Sequence, residues 1–310
     1  MEFTDRITDV WKDINDLDQW QDPLFDWHKA RVASVFAKLA YLHIPEYELR
    51  NVDRANIIPC REYRERVMQR SYPDVEQILR DSDLSDFFIV EKPYAIAIVV
   101  RVRKLLFISM RGTQRLYDWG VNVKAFKSRP CPVESGDIHF HKGFHRAAAS
   151  CMYEIQAEIL KRYADEDELT PYITGHSLGG ALAAITHAVW NHHYRYYGAP
   201  RIHPRINNLT THSCYTFGMP RYGNFHAIEH FANPFHLYNQ ADIVPTVPPR
   251  FLGFDDSLIE YCLTPSGEVD GSNVKGNTFA QYLTRLLKGE AIRHHDMEIY
   301  MERVKQVSSR

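Results

Sequence analysis

The spacing of hydrophobic positions changes near residue 86. Before it, the segment 24–41 carries apolar side chains at helical spacing, and the charged run 61–70 is typical of a solvated helix face. After it, apolar and β-branched runs predict strands at 87–90, 94–102, 105–110, 171–174, 214–217, 235–238 and 259–263. Helical patterns lie between and after these runs, at 144–163, 181–193, 278–288 and 295–307.

Alternation of strands and helices predicts an α/β fold, with a mainly parallel central sheet and helices on both faces. We expect residues 86–310 to form this core and residues 1–85 to form a mostly helical N-terminal extension packed on it, in one domain overall. The segment 190–208 is rich in His, Arg, Tyr and Pro and is predicted to be an irregular surface excursion.

Composition and charge narrow the function classes. The net charge is −2 with both signs interspersed, which argues against nucleic acid as a partner. No apolar run approaches the roughly 18 residues of a transmembrane segment, and the first residues lack the pattern of a secretory signal. Five scattered cysteines without C-x-x-C spacing favour a reducing compartment. We therefore expect a cytoplasmic location, with secretion by a signal-independent route left open.

The strongest chemical signal is the run Gly-His-Ser-Leu-Gly-Gly at 175–180, between a predicted buried strand and a helix rich in alanine. A serine flanked by glycines in this context predicts a tight strand-to-helix turn that exposes Ser177 as a nucleophile. Gly175 and Gly179 are expected to be required because side chains there would collide within the turn. The non-catalytic alternative for such a glycine and serine cluster is a surface loop.

An activated serine needs a histidine to accept its proton and a carboxylate to orient that histidine. Asp242 follows a predicted strand, at the end of the sheet where functional residues gather. The competing acids are Asp255, Asp256 and Asp270. For the base, His294 and His295 both follow Asp242 in the expected order, and the residues alone do not separate them.

Two further groups of residues bear on the chemistry. An oxyanion hole needs backbone N–H groups, and the candidates are Leu178, directly after the nucleophile, and Thr113, after the predicted strand 105–110. The spacing of His139, His141 and His145 suggests a metal site, but no cysteine or carboxylate partners stand at ligand spacing. We therefore predict no metal, and serine catalysis needs no other cofactor in any step.

Several segments together resemble the class 3 lipase family, the fungal-lipase-like α/β hydrolases, over about 105–300. They are Arg111-Gly112-Thr113 with Asp118-Trp119, His141-Lys142-Gly143-Phe144, the run at 175–180, the segment 216–224, Asp242-Ile243-Val244-Pro245, and His295-Asp296-Met297-Glu298 with Tyr300. The resemblance implies an α/β-hydrolase fold.

The resemblance also implies roles for individual residues. It selects His295 over His294, with Ser177 as nucleophile, Asp242 as triad acid, and Thr113 and Leu178 as oxyanion donors. It places a lid at 114–122, where Leu116 and Trp119 are apolar candidates for transient contact with a lipid surface.

These inferences predict a serine carboxylic-ester hydrolase that cleaves acylglycerols or other acyl esters through an acyl-enzyme, with a small-molecule or lipid ester as its partner. The alternatives within enzymes are phospholipase A or monoacylglycerol lipase activity, and, for the same oxyanion hole, a peptidase or thioesterase. The alternative from another class is a non-catalytic binding protein on a hydrolase fold.

Overall fold

The computed structural model describes residues 2–12, 14, 17–43, 74–92, 94–112, 127–128, 137–166, 168–197, 210–266, 269–270 and 293–309. The strands within these residues are β1 (Phe87–Lys92), β2 (Ala95–Val102), β3 (Leu105–Gly112), β4 (Lys127–Ser128), β5 (Phe140–His141), β6 (Thr170–His176), β7 (Ser213–Phe217), β8 (Phe235–Asn239), β9 (Glu260–Leu263) and β10 (Val269–Asp270). The helices are α1 (Phe3–Lys12), α2 (Leu17–Gln21), α3 (Trp27–Leu39), α4 (Val75–Asp81), α5 (Lys142–Tyr163), α6 (Leu178–Tyr197), α7 (Phe225–His230) and α8 (Met297–Ser308).

One large sheet organises the described residues, in the strand order β1-β2-β3-β6-β7-β8-β9-β10. The strands from β3 to β9 pair in parallel, while β1, β2 and β10 are antiparallel to their neighbours. β4 and β5 form a separate antiparallel pair. The carboxyl ends of β6 and β8 therefore open on the same edge of the sheet, which is where α/β sheets place their ligand sites.

Successive side chains of the central strands enter two different cores. In β3, Leu106, Ile108 and Met110 pack with α5 and α6, whereas Leu105 and Phe107 pack with α1, α3, α4 and α8. Successive side chains of a strand point to opposite faces of the sheet, so a strand that is apolar at every position is buried on both faces. The predicted α/β-hydrolase class, with a mainly parallel sheet and helices on both faces, is confirmed.

The N-terminal residues supply one of these helical layers. α3 begins after Asp26, whose carboxylate accepts a hydrogen bond from the N–H of Lys29 at 2.9 Å and caps the helix. The hydroxyl of Thr174, in β6, donates to the carbonyl of Ala33 at 3.0 Å, so α3 is bonded directly to the sheet. The boundary at residue 85 stays a prediction, and the charged run 61–70 lies outside the described residues.

The interpretation of 190–208 as irregular was wrong for its first part. α6 continues to Tyr197, and residues 198–208 lie outside the described part of the chain. The His, Arg and Tyr side chains that suggested a loop are compatible with a helix, because none of them breaks the backbone hydrogen bonds as proline does. The predicted helix at 278–288 also lies outside the described residues.

Candidate active site

The serine of the glycine-rich run occupies a sharp turn between β6 and α6. Ser177 has a φ of +57°, in the left-handed region that side-chain-bearing residues rarely adopt. Its N–H donates to the carbonyl of Phe217 in β7 at 2.9 Å, which ties the turn to the neighbouring strand. Such strained backbone costs about 1–3 kcal/mol and persists only where the surroundings enforce it.

Two glycines allow this turn for different steric reasons. A Cβ on Gly175 would lie 2.3 Å from the carbonyl oxygen of Gly179, on the other arm of the turn. A Cβ on Gly179 would instead lie 2.2 Å from the carbonyl oxygen of Met110, at the end of β3. Gly175 thus permits the bend itself, and Gly179 permits α6 to begin directly against the sheet.

Three side chains from distant parts of the chain form a continuous hydrogen-bonded line beside this turn. The Nε2 atom of His295 lies 2.7 Å from the hydroxyl oxygen of Ser177, and its Nδ1 atom lies 2.7 Å from Oδ2 of Asp242. Asp242 follows β8, and His295 directly precedes Asp296, which caps α8 by accepting from the N–H of Glu298 at 3.0 Å. This is the geometry of a nucleophile, a general base and an orienting acid.

The carboxylate of Asp242 is fully buried and accepts two further hydrogen bonds. The N–H of Val244 donates to Oδ1 at 2.9 Å, and the hydroxyl of Tyr300 donates to Oδ2 at 2.6 Å. Burial and the adjacent Asp242 raise the pKa of Tyr300 well above its usual range, so this hydroxyl remains a donor. It also accepts from the N–H of Asn239 at 3.0 Å.

The sequence had no signal for the contact of Tyr300 with Asp242, since it marked Tyr300 only as an aromatic of the last motif. One turn of α8 separates Tyr300 from the cap at Asp296. The spacing places it on the same helix face as the start of the helix, near His295. Only the pairing of α8 with β8 brings it to the carboxylate.

The competing residues lie in other networks. The ring of His294 lies 3.4 Å from the guanidinium of Arg303, and its carbonyl accepts from the side chain of Asn239 at 2.8 Å. Asp256 accepts from Nε of Arg221 at 2.7 Å, and Asp255 accepts from the N–H of Asp256. The structure thus brings His295 and Asp242 to Ser177 and holds His294, Asp255 and Asp256 elsewhere; the side chain of Asp270 lies outside the described part.

Of the predicted oxyanion donors, one is described. Leu178 is the first residue of α6, and N–H groups in the first turn have no acceptor within their own helix. A Cβ on Gly112 would lie 2.2 Å from the Leu178 side chain, so the bare backbone of Gly112 lets Leu178 approach the end of β3. Thr113 and the lid residues Leu116 and Trp119 lie outside the described residues.

The three clustered histidines make separate contacts, and the ring of His145 lies 5.6 Å from that of Phe140 between centroids. His139 Nδ1 lies 3.0 Å from the carbonyl of Asp137, and the ring of His141 stacks on Phe144 with centroids 4.0 Å apart. Burial lowers the pKa of His141 to about 4. Within the described ranges, no three His, Cys, Asp or Glu side chains are grouped closely enough to hold a metal ion.

Comparison with known proteins identifies the central segment. Residues 107–252 match the family described as lipase (class 3). A lipase of Rhizomucor miehei is 28% identical over 171 residues, which are 52% of this chain and 42% of the relative. A secreted mono- and diacylglycerol lipase 1 of Fusarium solani is 28% identical over 202 residues, which are 62% of this chain and 54% of the relative. The chain spans about half the length of these curated relatives.

A solved structure supports the fold. The structure of a triacylglycerol lipase, described as having a catalytic centre formed by a serine protease triad, superposes with a TM-score of 0.51 and 21% identity. The match covers 82% of this chain and 91% of that one.

The relatives correct the predicted location. The expectation of a cytoplasmic protein is contradicted, because relatives of this chain are secreted lipases and point to an extracellular location. Cysteine spacing misled here, since a core of this size needs no disulfide in any compartment. In the part of the chain that the structure describes, helices are too short or too polar to cross a membrane. Through the matched segment 107–252 and these lipase relatives, the chain is similar to the class 3 lipase family.

Proposed function

We propose that this protein is a serine hydrolase of carboxylic esters, and that its substrates are lipid esters such as acylglycerols. The observation that carries the proposal is the unbroken line from Ser177 through His295 to Asp242, with both contacts at 2.7 Å. The match of residues 107–252 to the class 3 lipase family supports the choice of an ester over other acyl compounds.

In the proposed reaction, the hydroxyl oxygen of Ser177 attacks the ester carbonyl while Nε2 of His295 accepts the hydroxyl proton. His295 then passes this proton to the leaving alcohol, and an acyl group remains on Ser177. Water attacks the acyl-enzyme by the same route, with His295 again as the base, and the acid product leaves.

Asp242 determines which nitrogen of His295 is available. Its Oδ2 atom acts as acceptor for Nδ1–H, so the proton of the neutral ring sits on Nδ1 and the lone pair of Nε2 faces Ser177. When His295 becomes positively charged, the same carboxylate stabilises the charge. Donors from Val244 and Tyr300 keep Asp242 in place as an acceptor.

The negative charge that develops on the substrate oxygen needs donors, and we assign the N–H of Leu178 to this task together with Thr113. A lid at 114–122 that touches a lipid surface through Leu116 and Trp119 belongs to the same proposal, on the strength of the sequence resemblance.

The first test is the hydrolysis of a soluble nitrophenyl ester by wild-type protein and by Ser177→Ala. We expect the variant to lose about 10⁴-fold or more in kcat, because alanine has no hydroxyl oxygen with which to form the acyl-enzyme. A fluorophosphonate probe should label the wild type and leave Ser177→Ala unlabelled. Normal turnover by folded Ser177→Ala, or an unlabelled and inactive wild type, would refute the proposal, the latter in favour of a binding protein.

A matched pair of variants tests the base. His295→Ala should lose activity about as severely as Ser177→Ala, whereas His294→Ala should stay within a few-fold of the wild type, because its ring contacts Arg303 instead. A greater loss at His294 would reverse the assignment.

Substrate class is tested with triacylglycerol, monoacylglycerol and phosphatidylcholine dispersions at equal acyl length. Faster release of fatty acid from the neutral glycerides is expected, and a preference for phosphatidylcholine would assign a phospholipase A instead.

A further inference from the structure

The residue before the nucleophile contacts the base of the triad. His176 is buried, and its ring lies against that of His295 with centroids 4.5 Å apart and planes inclined by 32°. Its Nε2 atom lies 2.8 Å from the backbone carbonyl oxygen of His295. Its Nδ1 atom lies 3.0 Å from the hydroxyl of Tyr41, in the N-terminal part of the chain. His176 thus joins the turn that carries Ser177 to the segment that carries His295.

These partners decide the protonation of the ring. A carbonyl oxygen can only accept, so Nε2 of His176 must carry a proton and donate it to His295. Nδ1 then has a lone pair, which lies 3.0 Å from the hydroxyl oxygen of Tyr41. Burial, and secondarily the neighbouring His295, lower the pKa of His176 well below its usual range, which leaves the ring neutral.

The hydroxyl of Tyr41 has a second contact with the same residue, at 2.9 Å from the backbone carbonyl of His176. The one proton of this hydroxyl serves one of these two acceptors at a time, and the Tyr41 ring also packs edge-on against the His176 ring with centroids 5.4 Å apart. This packing and the hydrogen bond from Nε2 keep the donor of His176 aimed at His295.

His295 needs such support because it precedes α8 rather than lying inside it. Its side chain is held at Nδ1 by Asp242, but that contact leaves the position of its backbone open. The hydrogen bond from His176 to its carbonyl supplies the second anchor. A neutral ring also suits this place, since a second positive charge beside the His295 imidazolium would oppose its formation during acyl transfer.

We propose that His176 is a positioning residue of the triad, which, held by Tyr41, fixes the backbone and ring of His295 at hydrogen-bonding distance from Ser177. The proposal rests on the proposed function, because it concerns the step in which His295 accepts the serine proton. It also gives the N-terminal part of the chain, through Tyr41, a direct part in the reaction.

The test compares His176→Gln with His176→Asn. The amide nitrogen of glutamine reaches about as far as Nε2 of histidine and can still donate to the His295 carbonyl. The shorter asparagine reaches only about as far as Nδ1 and cannot. We expect His176→Asn to lose roughly 10- to 100-fold in kcat on a soluble nitrophenyl ester, since a misplacement of about 1 Å can cost 10²-fold.

The accompanying readouts separate positioning from binding and from stability. KM should change less than twofold in both variants, and fluorophosphonate labelling of Ser177 should slow in parallel with kcat. His176→Gln should recover most of the lost rate while showing the same urea unfolding midpoint as His176→Asn. A structural role alone would not distinguish two variants of equal stability.

Tyr41→Phe removes a single oxygen and keeps the test valid should His176→Asn fail to fold. On its own it should lower kcat about three- to tenfold with KM unchanged.

The proposal is overturned if folded His176→Asn, or Tyr41→Phe, turns over at the wild-type rate. It is also overturned if His176→Gln is as defective as His176→Asn. Each of these results requires a wild type that hydrolyses the ester and an inactive Ser177→Ala. Without those two, the proposed function itself has failed.

Discussion

Replacing Asp242 by asparagine isolates the orienting role of the carboxylate, because it removes the charge and keeps the shape. In the structure three donors point at this group: Nδ1–H of His295 and the hydroxyl of Tyr300 at Oδ2, and the N–H of Val244 at Oδ1. An asparagine has one oxygen and one NH₂, so it cannot accept from all three donors.

The two orientations of the asparagine differ in what they disturb. With its NH₂ towards Val244, two donors face each other, and a partly buried backbone N–H is left unpaired at a cost of up to about 1–3 kcal/mol. With its NH₂ towards His295 and Tyr300, the hydroxyl can turn to accept and the imidazole can change tautomer. The second orientation keeps the contact with Val244, and it moves the His295 proton to Nε2, where it faces Ser177.

A ring protonated at Nε2 cannot accept the serine proton. In serine protease triads the corresponding change lowers kcat about 10⁴-fold with the geometry intact, equivalent to a barrier about 5 kcal/mol higher. We expect a loss of this size in Asp242→Asn.

The assay measures kcat and KM on a soluble nitrophenyl ester, with circular dichroism and urea unfolding to establish the fold. Asp256→Asn is the matched control, since Asp256 is a largely buried aspartate bonded to Arg221 and not to the triad. It should keep kcat within about threefold and lose stability instead. A folded Asp242→Asn protein within tenfold of the wild-type kcat would show that the carboxylate does not control the tautomer.

Two further predictions concern stability. Gly175→Ala should destabilise the protein by about 3 kcal/mol or more and lower kcat, because its Cβ would lie 2.3 Å from backbone that cannot yield. Gly223→Ala is the control, and it should lower the free energy of unfolding in urea by less, because the nearest neighbour of its Cβ would lie at 3.1 Å. Equal losses of stability in the two variants would contradict the steric argument. The second prediction follows from the lowered pKa of His141, which is about 4 in the folded protein against an ordinary 6.5. Between these two pH values the unfolded chain binds more protons than the folded protein. The free energy of unfolding should therefore fall as the pH drops from 6.5 to 4, by at most about 3 kcal/mol. His141→Asn, which cannot titrate, should flatten that decline in urea midpoints measured across the range, and an unchanged decline would refute the attribution.

Much of the fold could be predicted from the sequence, because the patterns that specify strands and helices are local. Strands such as 105–110 are recognisable by a run of apolar residues, and their alternation with helices indicates a parallel sheet. The error at 190–197 arose where composition suggested a loop but nothing interrupted the helix α6. The boundaries of helices depend on packing as much as on helix propensity. The helix α6 begins at Leu178 because the tight turn at Ser177 directly precedes it.

In the candidate site, too, some features follow from the local sequence and others only from the tertiary structure. The sequence by itself determined the turn at Ser177, since Gly175, which permits the bend, stands two residues before the serine and its steric effect concerns Gly179 on the other arm of the same turn. The residues alone did not separate His294 from His295. Apart from the family resemblance, only the tertiary structure decided that His295 lies beside Ser177, because that contact joins positions 118 residues apart. The same holds for Tyr300 on Asp242 and for Tyr41 on His176, 58 and 135 residues apart. Hydrogen bonds act over about 3 Å, and no local pattern specifies which distant side chains the packed sheet and helices will bring within that reach.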